Sequence, residues 1–205
     1  MAILANLRNT LILSLILAAV MIAAYAAHSP AGYNDTTFWQ AVFRWIHVVF
    51  GILWIGLLYY FNFVQIRKMP DIPAELKPAV SKYIAPEALF WFRWAALATV
   101  LAGVILAWLR GYLMEVLTFG LWGGYDRAAD GQYSLFGLGV WLALIMFVNV
   151  WGVIWPNQKL ALGLKPADDA TKAKAARTAM AFSRINTLLS LPMLVAMTMQ
   201  QTLFG

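Results

Sequence analysis

The segment RWIHVVFGILWIGLLYYFNF, residues 44–63, determines the fold class. It has no acidic residue, and only Arg44 and His47 carry side chains that are basic. A helix needs about 20 predominantly apolar residues to cross a bilayer, and the apolar run around this segment extends from about 38 to 66. The segment therefore predicts a membrane-spanning helix. A transmembrane barrel would show strands of alternating polarity, and the sequence does not alternate.

Four further apolar stretches flank this segment. The chain is 62% hydrophobic and 12% charged, whereas soluble domains are about 45–50% apolar and about 25% charged. We therefore predict an all-α integral membrane protein, a bundle of about five transmembrane helices forming a single domain, 1–205. The first stretch ends in AAYAAHSP, similar to a signal-peptide cleavage site, but its long apolar run predicts a retained helix. The predicted spans are about 8–27, 38–66, 87–109, 135–156 and 185–204, with an interfacial segment at 111–124.

The positions of lysine and arginine predict the orientation of the bundle. The net charge is +6, but the basic residues fall between apolar stretches and form no continuous patch, which argues against nucleic-acid binding. Short loops rich in lysine and arginine face the cytoplasm. Two loops, after the second and fourth helices, hold most of these residues. The N-terminus is therefore predicted to be cytoplasmic and the C-terminus periplasmic, in a bacterial inner membrane surrounded by lipids. The loop residues are Arg67, Lys68, Lys77, Lys82, Lys159, Lys165, Lys172, Lys174, Arg177 and Arg184.

His47 is the strongest candidate for a cofactor ligand. His47, Gly51 and Trp54 have helical spacing and share one face of the second helix. A neutral imidazole can bind the iron of haem b or the magnesium of (bacterio)chlorophyll, and a glycine allows close approach of a flat ring. The alternative is a core histidine that hydrogen-bonds to a neighbouring helix. With no cysteine, the chain lacks thiolate metal sites and covalent haem attachment.

Further polar side chains fall near the predicted cytoplasmic ends of the helices. We predict that they form one structural cluster that caps helix ends and holds the bundle together. The sequence shows no intramembrane carboxylate pair, Ser/His/Asp set, phosphate loop or HExxH motif, and therefore suggests no catalytic residue. The members of the predicted cluster are Asn62, Arg93, Asn149, Asn157, Gln158, Arg184 and Asn186.

Four segments, in this order, resemble the membrane domain of the bacterial cytochrome c-linked urate oxidase (urate hydroxylase) family. They are RWIHVVFGILWIGLLYYFNF (44–63), PEALFWFRWAALATVLAG (86–103), IMFVNVWGVIWPNQK (145–159) and SRINTLLSLPMLVAM (183–197). The resemblance covers most of the chain after residue 44. It implies a helical redox membrane domain that is followed by a cytochrome c domain.

The chain departs from the pattern of this family. The resemblance implies histidines where this chain has Phe90, Gly137, Ile185 and Gln200, and only the position of His47 is kept. The chain also has no CxxCH sequence for a cytochrome c domain. These departures argue against urate oxidation by this polypeptide.

Three functions follow from these observations. The first is a non-catalytic membrane subunit that packs with other membrane subunits in a larger bacterial respiratory or photosynthetic complex. The second is an electron-transfer protein with haem b or another tetrapyrrole on His47, which exchanges electrons with a periplasmic cytochrome c. The third is a small transporter with the polar cluster as its vestibule. No pair of Gly/Pro-broken half-helices, typical of transporters, is visible in the sequence.

Overall fold

The computed structural model describes residues 4–29, 32–123 and 131–204. Every regular element in these ranges is helical, which confirms that the fold is all-α. Five of the helices are long and apolar enough to cross a membrane, as predicted. The helices are α1 Leu7–Ala27, α2 Thr36–Asp71, α3 Lys77–Leu109, the short α4 Leu113–Leu117, α5 Gln132–Ala161 and α6 Asp169–Leu203.

Several helices extend beyond the apolar stretches that predicted them. α6 begins at Asp169, whereas its apolar stretch begins near residue 185. Residues 169–184, DATKAKAARTAMAFSR, are rich in alanine and lysine, which favour helix in polar surroundings as well. α3 likewise begins at Lys77 instead of near residue 87. The apolar length therefore predicts the span of a helix and underestimates the polar turns before it.

Asp168 caps the N-terminus of α6. Its Oδ1 accepts a hydrogen bond from the backbone N–H of Thr171 at 2.7 Å, and its Oδ2 accepts one from the Thr171 hydroxyl at 3.0 Å. These bonds, the backbone one foremost, hold the pKa of the Asp168 carboxyl below its usual 3.8. A depressed folded-state pKa means that this stabilisation is present above 3.8 and is lost as the pH falls through the folded-state value.

We expect Asp168→Asn to change how the thermal stability of the protein depends on pH. Asparagine accepts the same hydrogen bond but carries no charge at the positive end of the helix dipole. The wild type should therefore melt at a higher temperature than the variant at about pH 6, and this difference should vanish by about pH 2. Thermal melts in non-ionic detergent at both pH values measure it. A difference that is independent of pH would contradict the capping role of the carboxylate.

Three of the long helices contain a π-helical segment, in which the hydrogen bonds run five residues back. These segments are Tyr60–Gln65 in α2, Val80–Ile84 in α3 and Asn149–Ile154 in α5. The last two end directly before Ala85-Pro86 and Trp155-Pro156. A proline ring inside an α-helix clashes with the carbonyl group four residues earlier and leaves it without its donor. The wider π turns therefore explain how both prolines are accommodated.

The core of the bundle is formed by α2, α3, α5 and α6. Trp54 and Leu58 of α2 and Met146 of α5 are at most 1% exposed. Phe61 and Phe92 pack edge to face across α2 and α3, with ring centroids 5.6 Å apart. Such aromatic pairs stabilise a core beyond their buried area. The other core residues include Ile55, Leu89, Ala95, Ala96, Val150, Ile154 and Met193.

The contacts divide the chain into two compact units, Met1–Phe43 and Arg44–Gly205. In the first unit, Asn6 caps α1 by accepting hydrogen bonds from the backbone N–H groups of Arg8 and Asn9. Only Ala26 of α1 is buried, so the apolar side chains of this helix are open to their surroundings. All the candidate functional residues lie in the second unit.

The predicted interfacial segment 111–124 contains two short helical elements. They are α4 and the 3-10 turn Leu121–Gly123, while residue 124 lies outside the described residues. Gly111, at φ +74°, ends α3 with a left-handed turn that favours glycine. Tyr112 follows it and packs edge to face on Phe136 of α5, at 5.4 Å between ring centroids. Burial raises the pKa of the Tyr112 hydroxyl above its usual value, and the nearby Arg110 and Arg44 charges offset only part of this rise.

Candidate functional site

His47 lies between α2 and α3. Its Nδ1 is 2.8 Å from the carbonyl oxygen of Thr99. A carbonyl oxygen only accepts hydrogen bonds, so Nδ1 carries the proton and Nε2 keeps a free lone pair. Histidines that bind metals are usually held in this way, with the other ring nitrogen donating to a carbonyl or carboxylate. The ring thus has the tautomer that a tetrapyrrole ligand needs.

Gly103 provides the space for the His47 ring. A Cβ atom at position 103 would lie 2.9 Å from both Cε1 and Nδ1 of His47, closer than real contacts allow. The ring therefore packs directly on the backbone of α3. The Nδ1–Cε1 edge of the imidazole is covered by the protein itself.

Gly51 and Trp54 do not extend this site into an open face. A Cβ at position 51 would meet the Cγ2 atom of Thr99 at 3.8 Å, so Gly51 lies against α3. Trp54 is 1% exposed and belongs to the core. The face predicted from the spacing of the three residues turns inward and is filled by α3. Gly51 and Trp54 therefore serve helix packing here and do not form a platform for a flat cofactor.

We expect Gly103→Ala to displace the His47 ring and break its bond to Thr99. An added methyl group at 2.9 Å forces the ring to turn, and overpacking of this kind costs about 1–3 kcal/mol. Gly56→Ala is the matched control, because nothing lies within 4 Å of its added methyl group. That variant should gain about 0.5–1 kcal/mol from lower backbone entropy. Thermal unfolding in detergent measures both, and equal stabilisation would contradict the placement of His47.

Three residues of the predicted polar cluster, Asn62, Asn149 and Asn186, lie around one side of α6. Asn186 is completely buried, its Oδ1 accepting from Asn149 Nδ2 at 2.8 Å and its Nδ2 donating to the Met146 carbonyl oxygen at 2.9 Å. Asn62 Nδ2 donates to Ser183 Oγ at 2.9 Å. The amides of α2 and α5 are thus tied to α6 at positions one helical turn apart.

A third bond extends this network along α6. The Tyr59 hydroxyl of α2 lies 3.0 Å from Ser190 Oγ, which itself donates to the Thr187 carbonyl oxygen at 2.8 Å. We call Tyr59, Asn62, Asn149, Ser183, Asn186 and Ser190 the interhelical network. Apart from Asn62 Oδ1, which is buried and has no hydrogen-bond partner in the described part of the chain, its polar groups bind one another and backbone carbonyls, and so hold three helices in register.

The remaining residues of the predicted cluster lie apart from this network. Asn157 Nδ2 donates to the Val153 carbonyl oxygen of its own helix at 2.8 Å. Gln158 lines a cavity of about 150 Å³ with Gln65 and Phe61. Arg184 is exposed, because it points away from the buried side of α6. One continuous cluster of all seven residues is therefore not present.

Arg93 belongs to a separate pocket between α3 and α5. Its guanidinium carbon is 3.9 Å from the centroid of the Trp155 ring and 5.3 Å from that of Phe90. These distances indicate cation–π interactions, which are strongest with tryptophan. The pocket measures about 320 Å³ and is lined by Tyr83, Pro86, Glu87, Phe90, Arg93, Trp155 and Leu164.

Sequence reasoning missed the partners of several predicted residues. Thr99 and Gly103 escaped attention because small residues in an apolar helix carry no chemical signal of their own. The serines of the interhelical network were detectable, because the buried positions of α6 repeat every three or four residues. This buried stripe, small or polar at every position except Met193, comprises Ala175, Ala179, Ser183, Asn186, Ser190, Met193, Ala196 and Gln200.

The imidazole of His47 is held by a hydrogen bond from Nδ1, which leaves Nε2 free to bind a ligand. Most polar groups of the interhelical network have their hydrogen-bond partners within the bundle. The resemblance to the urate oxidase membrane domain rests on the four quoted segments and stays a prediction. No family model matches the chain, and neither curated proteins nor solved structures show significant similarity to it.

Proposed function

We propose that this chain is a non-catalytic, multi-pass membrane subunit, related to the urate oxidase membrane domain, that packs within a larger bacterial respiratory or photosynthetic complex. The interhelical network is the observation that supports this proposal most. The side-chain amides of Asn149 and Asn186 hydrogen-bond to each other, and that of Asn186 also donates to a backbone carbonyl oxygen. Asn62 binds Ser183. Intramembrane polar residues that served substrates or ions would line a cavity or pathway. Here the side chains of Asn149 and Asn186 join α5 to α6.

The exposed apolar surface is consistent with this role. Ile52 of α2 is 70% exposed, and Leu188 and Leu191 of α6 are 73% and 64% exposed. Lipid tails or other membrane helices would cover such side chains. The lysine and arginine residues near the end of α2, the start of α3, the end of α5 and the start of α6 support an orientation with the N-terminus in the cytoplasm and the C-terminus in the periplasm of a bacterial inner membrane.

Native electrophoresis of membranes from the source bacterium tests the proposal. The membranes are solubilised in a mild detergent, and the chain is located with an antibody. We expect it to migrate in an assembly far larger than its own 22.9 kDa, together with other membrane proteins. A chain that always migrates as a monomer or as copies of itself would contradict the proposal.

Tetrapyrrole binding by His47 is a second candidate function. The Thr99 carbonyl fixes the proton on Nδ1, so Nε2 is free to bind haem iron or chlorophyll magnesium. In this chain the residues that fit the group are His47 and the carbonyl that orients it. When bound, a haem would supply one-electron chemistry, and exchange with a periplasmic cytochrome c would follow from the predicted orientation.

Absorption spectroscopy of the purified protein distinguishes the two functions. If His47 binds a tetrapyrrole, the wild type shows a Soret band that His47→Leu abolishes. His28→Leu is the matched control, because the Nδ1 of His28 bonds only within its own helix end, at 2.8 Å from the Ala24 carbonyl oxygen. A wild-type protein from native membranes without a Soret band would exclude the second function and leave the first.

A further inference from the structure

The pocket that contains Arg93 lies at the end of the bundle where most of the lysine and arginine residues are found. Tyr83 and Pro86 belong to the first turns of α3, and Leu164 belongs to the connection after α5. Lys82 precedes the pocket, and Lys159 holds its ammonium 5.4 Å from the Trp155 ring. Tryptophan, tyrosine and lysine mark the level of lipid headgroups in membrane proteins. If the chain spans the membrane, as proposed above, the pocket opens at that level.

Arg93 has a buried N–H group in this pocket that lacks a hydrogen-bond acceptor among the described residues. Its Nη1 is buried and, within the described part of the chain, has no hydrogen-bond partner. Stacking on Trp155 holds the guanidinium plane through cation–π attraction but provides no acceptor for this N–H group. A guanidinium binds phosphate with two parallel hydrogen bonds, and these are among the strongest that proteins make. A phosphate group is therefore the acceptor that fits Arg93 best.

Glu87 adds the opposite charge to the same pocket. Its Oε1 accepts a hydrogen bond from Trp91 Nε1 at 2.8 Å, which orients the carboxylate. A carboxylate has about four acceptor positions, so it can still bind further N–H groups. A ligand with only negative charge would be repelled by Glu87. The lining of the pocket thus favours a ligand that carries both a phosphate and an ammonium group.

The size and walls of the pocket agree with a lipid headgroup. A volume of about 320 Å³ is at the small end of ligand pockets, which measure about 300–1,000 Å³. Phe90 and Leu164 are 42% and 55% exposed. These apolar side chains would lie beside the glycerol and the first carbons of the acyl chains. The pocket lies between two helices, where headgroup sites are commonly found.

We propose that this pocket binds the headgroup of a phospholipid with a primary amine, its phosphate on Arg93 and its ammonium on Glu87. Phosphatidylethanolamine has this chemistry. Such a lipid would fill the cleft between α3 and α5 and join the two helices. The site is independent of the His47 ring and of the interhelical network.

Native mass spectrometry of the full chain in detergent tests this proposal. The protein is mixed with phosphatidylethanolamine, phosphatidylcholine or phosphatidylglycerol, and the bound fraction is titrated. We expect one phosphatidylethanolamine to bind about tenfold more tightly than phosphatidylcholine, whose quaternary amine cannot donate a hydrogen bond to Glu87. Phosphatidylglycerol should also bind more weakly, because it lacks the ammonium group. Equal binding of all three lipids, or displacement by millimolar inorganic phosphate, would overturn the proposal.

Two substitutions test separately how Arg93 and Glu87 contribute to lipid binding. Arg93→Gln should weaken phosphatidylethanolamine binding about tenfold, because it removes the charged donor. Glu87→Gln should abolish the preference for phosphatidylethanolamine over phosphatidylcholine and leave phosphate binding in place. Arg184→Gln, at an exposed position on the same end of the bundle, should change neither.

The fold of each variant is checked by its thermal unfolding. Should Arg93→Gln fail to fold, the changed preference in Glu87→Gln still decides the question, because Glu87 is exposed and easily replaced. An unchanged preference in Glu87→Gln would overturn the proposal. Failure here would leave the subunit hypothesis intact, since native electrophoresis tests partner proteins and does not depend on this pocket.

Discussion

Replacing Gly139 by leucine is expected to separate α5 from α6 and to lower the free energy of unfolding by about 3 kcal/mol. A Cβ atom at position 139 would lie 2.8 Å from the Cβ of Ala196 and 3.5 Å from the Met193 carbonyl oxygen. Both neighbours belong to α6, and Ala196 is completely buried. Because a backbone cannot give way as a flexible side chain does, the whole helix must move. Among the described residues, α5 and α6 share the most extensive contact between two helices.

Gly152 on the same helix is the matched control. Its added Cβ would meet only the Cγ1 atom of Val148, at 3.9 Å and on its own helix. Gly152→Leu should therefore not destabilise the bundle, and it should gain about 0.5–1 kcal/mol from lower backbone entropy, as Gly56→Ala does. Reversible unfolding in mixed micelles with increasing SDS, followed by tryptophan fluorescence, measures both variants. If the two leucine variants unfold alike, α5 and α6 do not approach each other at Gly139.

The five long helices could be predicted from sequence because apolar length depends on composition alone. A run such as residues 44–63 needs no knowledge of its neighbours to be recognised as helical in an apolar medium. The ends of the helices were less predictable. The polar residues after Asp169 form helix because alanine, lysine and a capping carboxylate favour it locally, whatever the hydropathy.

The π-helical segments show a different limit. Pro86 and Pro156 indicate a disturbance of the helix, but a kink and a π turn are both ways to accommodate a proline. Pro192 illustrates the point, because it lies inside α6 without any π segment. Which solution is adopted depends on how the neighbouring helices pack. One sequence does not contain that information in a readable form.

The sequence predicts which polar residues belong to the candidate site but not which of them contact each other. Asn62, Asn149 and Asn186 were recognised because polar residues in apolar helices need partners. Their rotation about each helix axis determines which of them meet, and this rotation is set by packing. The same limit applies to His47. Its spacing predicts that it shares one helix face with Gly51 and Trp54, but the spacing does not tell that this face lies against α3. Small residues such as Gly103 determine such faces without any chemical signal.

Asn186→Leu is expected to destabilise the bundle by about 2–3 kcal/mol. The substitution keeps the approximate volume but removes both ends of the amide. Asn149 Nδ2, otherwise bonded at 2.8 Å, and the Met146 carbonyl oxygen, bonded at 2.9 Å, would lose their partner on α6. The Met146 side of this contact is buried, so no water replaces the lost bonds. Unfolding in SDS mixed micelles measures the loss.

A double-mutant cycle with Asn149→Leu separates the hydrogen bond from general effects of the substitution. Interhelical hydrogen bonds in membrane proteins contribute on average about 0.6 kcal/mol and at most about 1.7 kcal/mol in such cycles. We expect a coupling in the upper part of this range, because both amides are buried and the bond is short. Asn157→Leu is the control, since its amide bonds only within α5 and should show no coupling with Asn186→Leu. Zero coupling between positions 149 and 186 would mean that the network does not hold α5 to α6, and the observation that best supports a scaffold role would be lost.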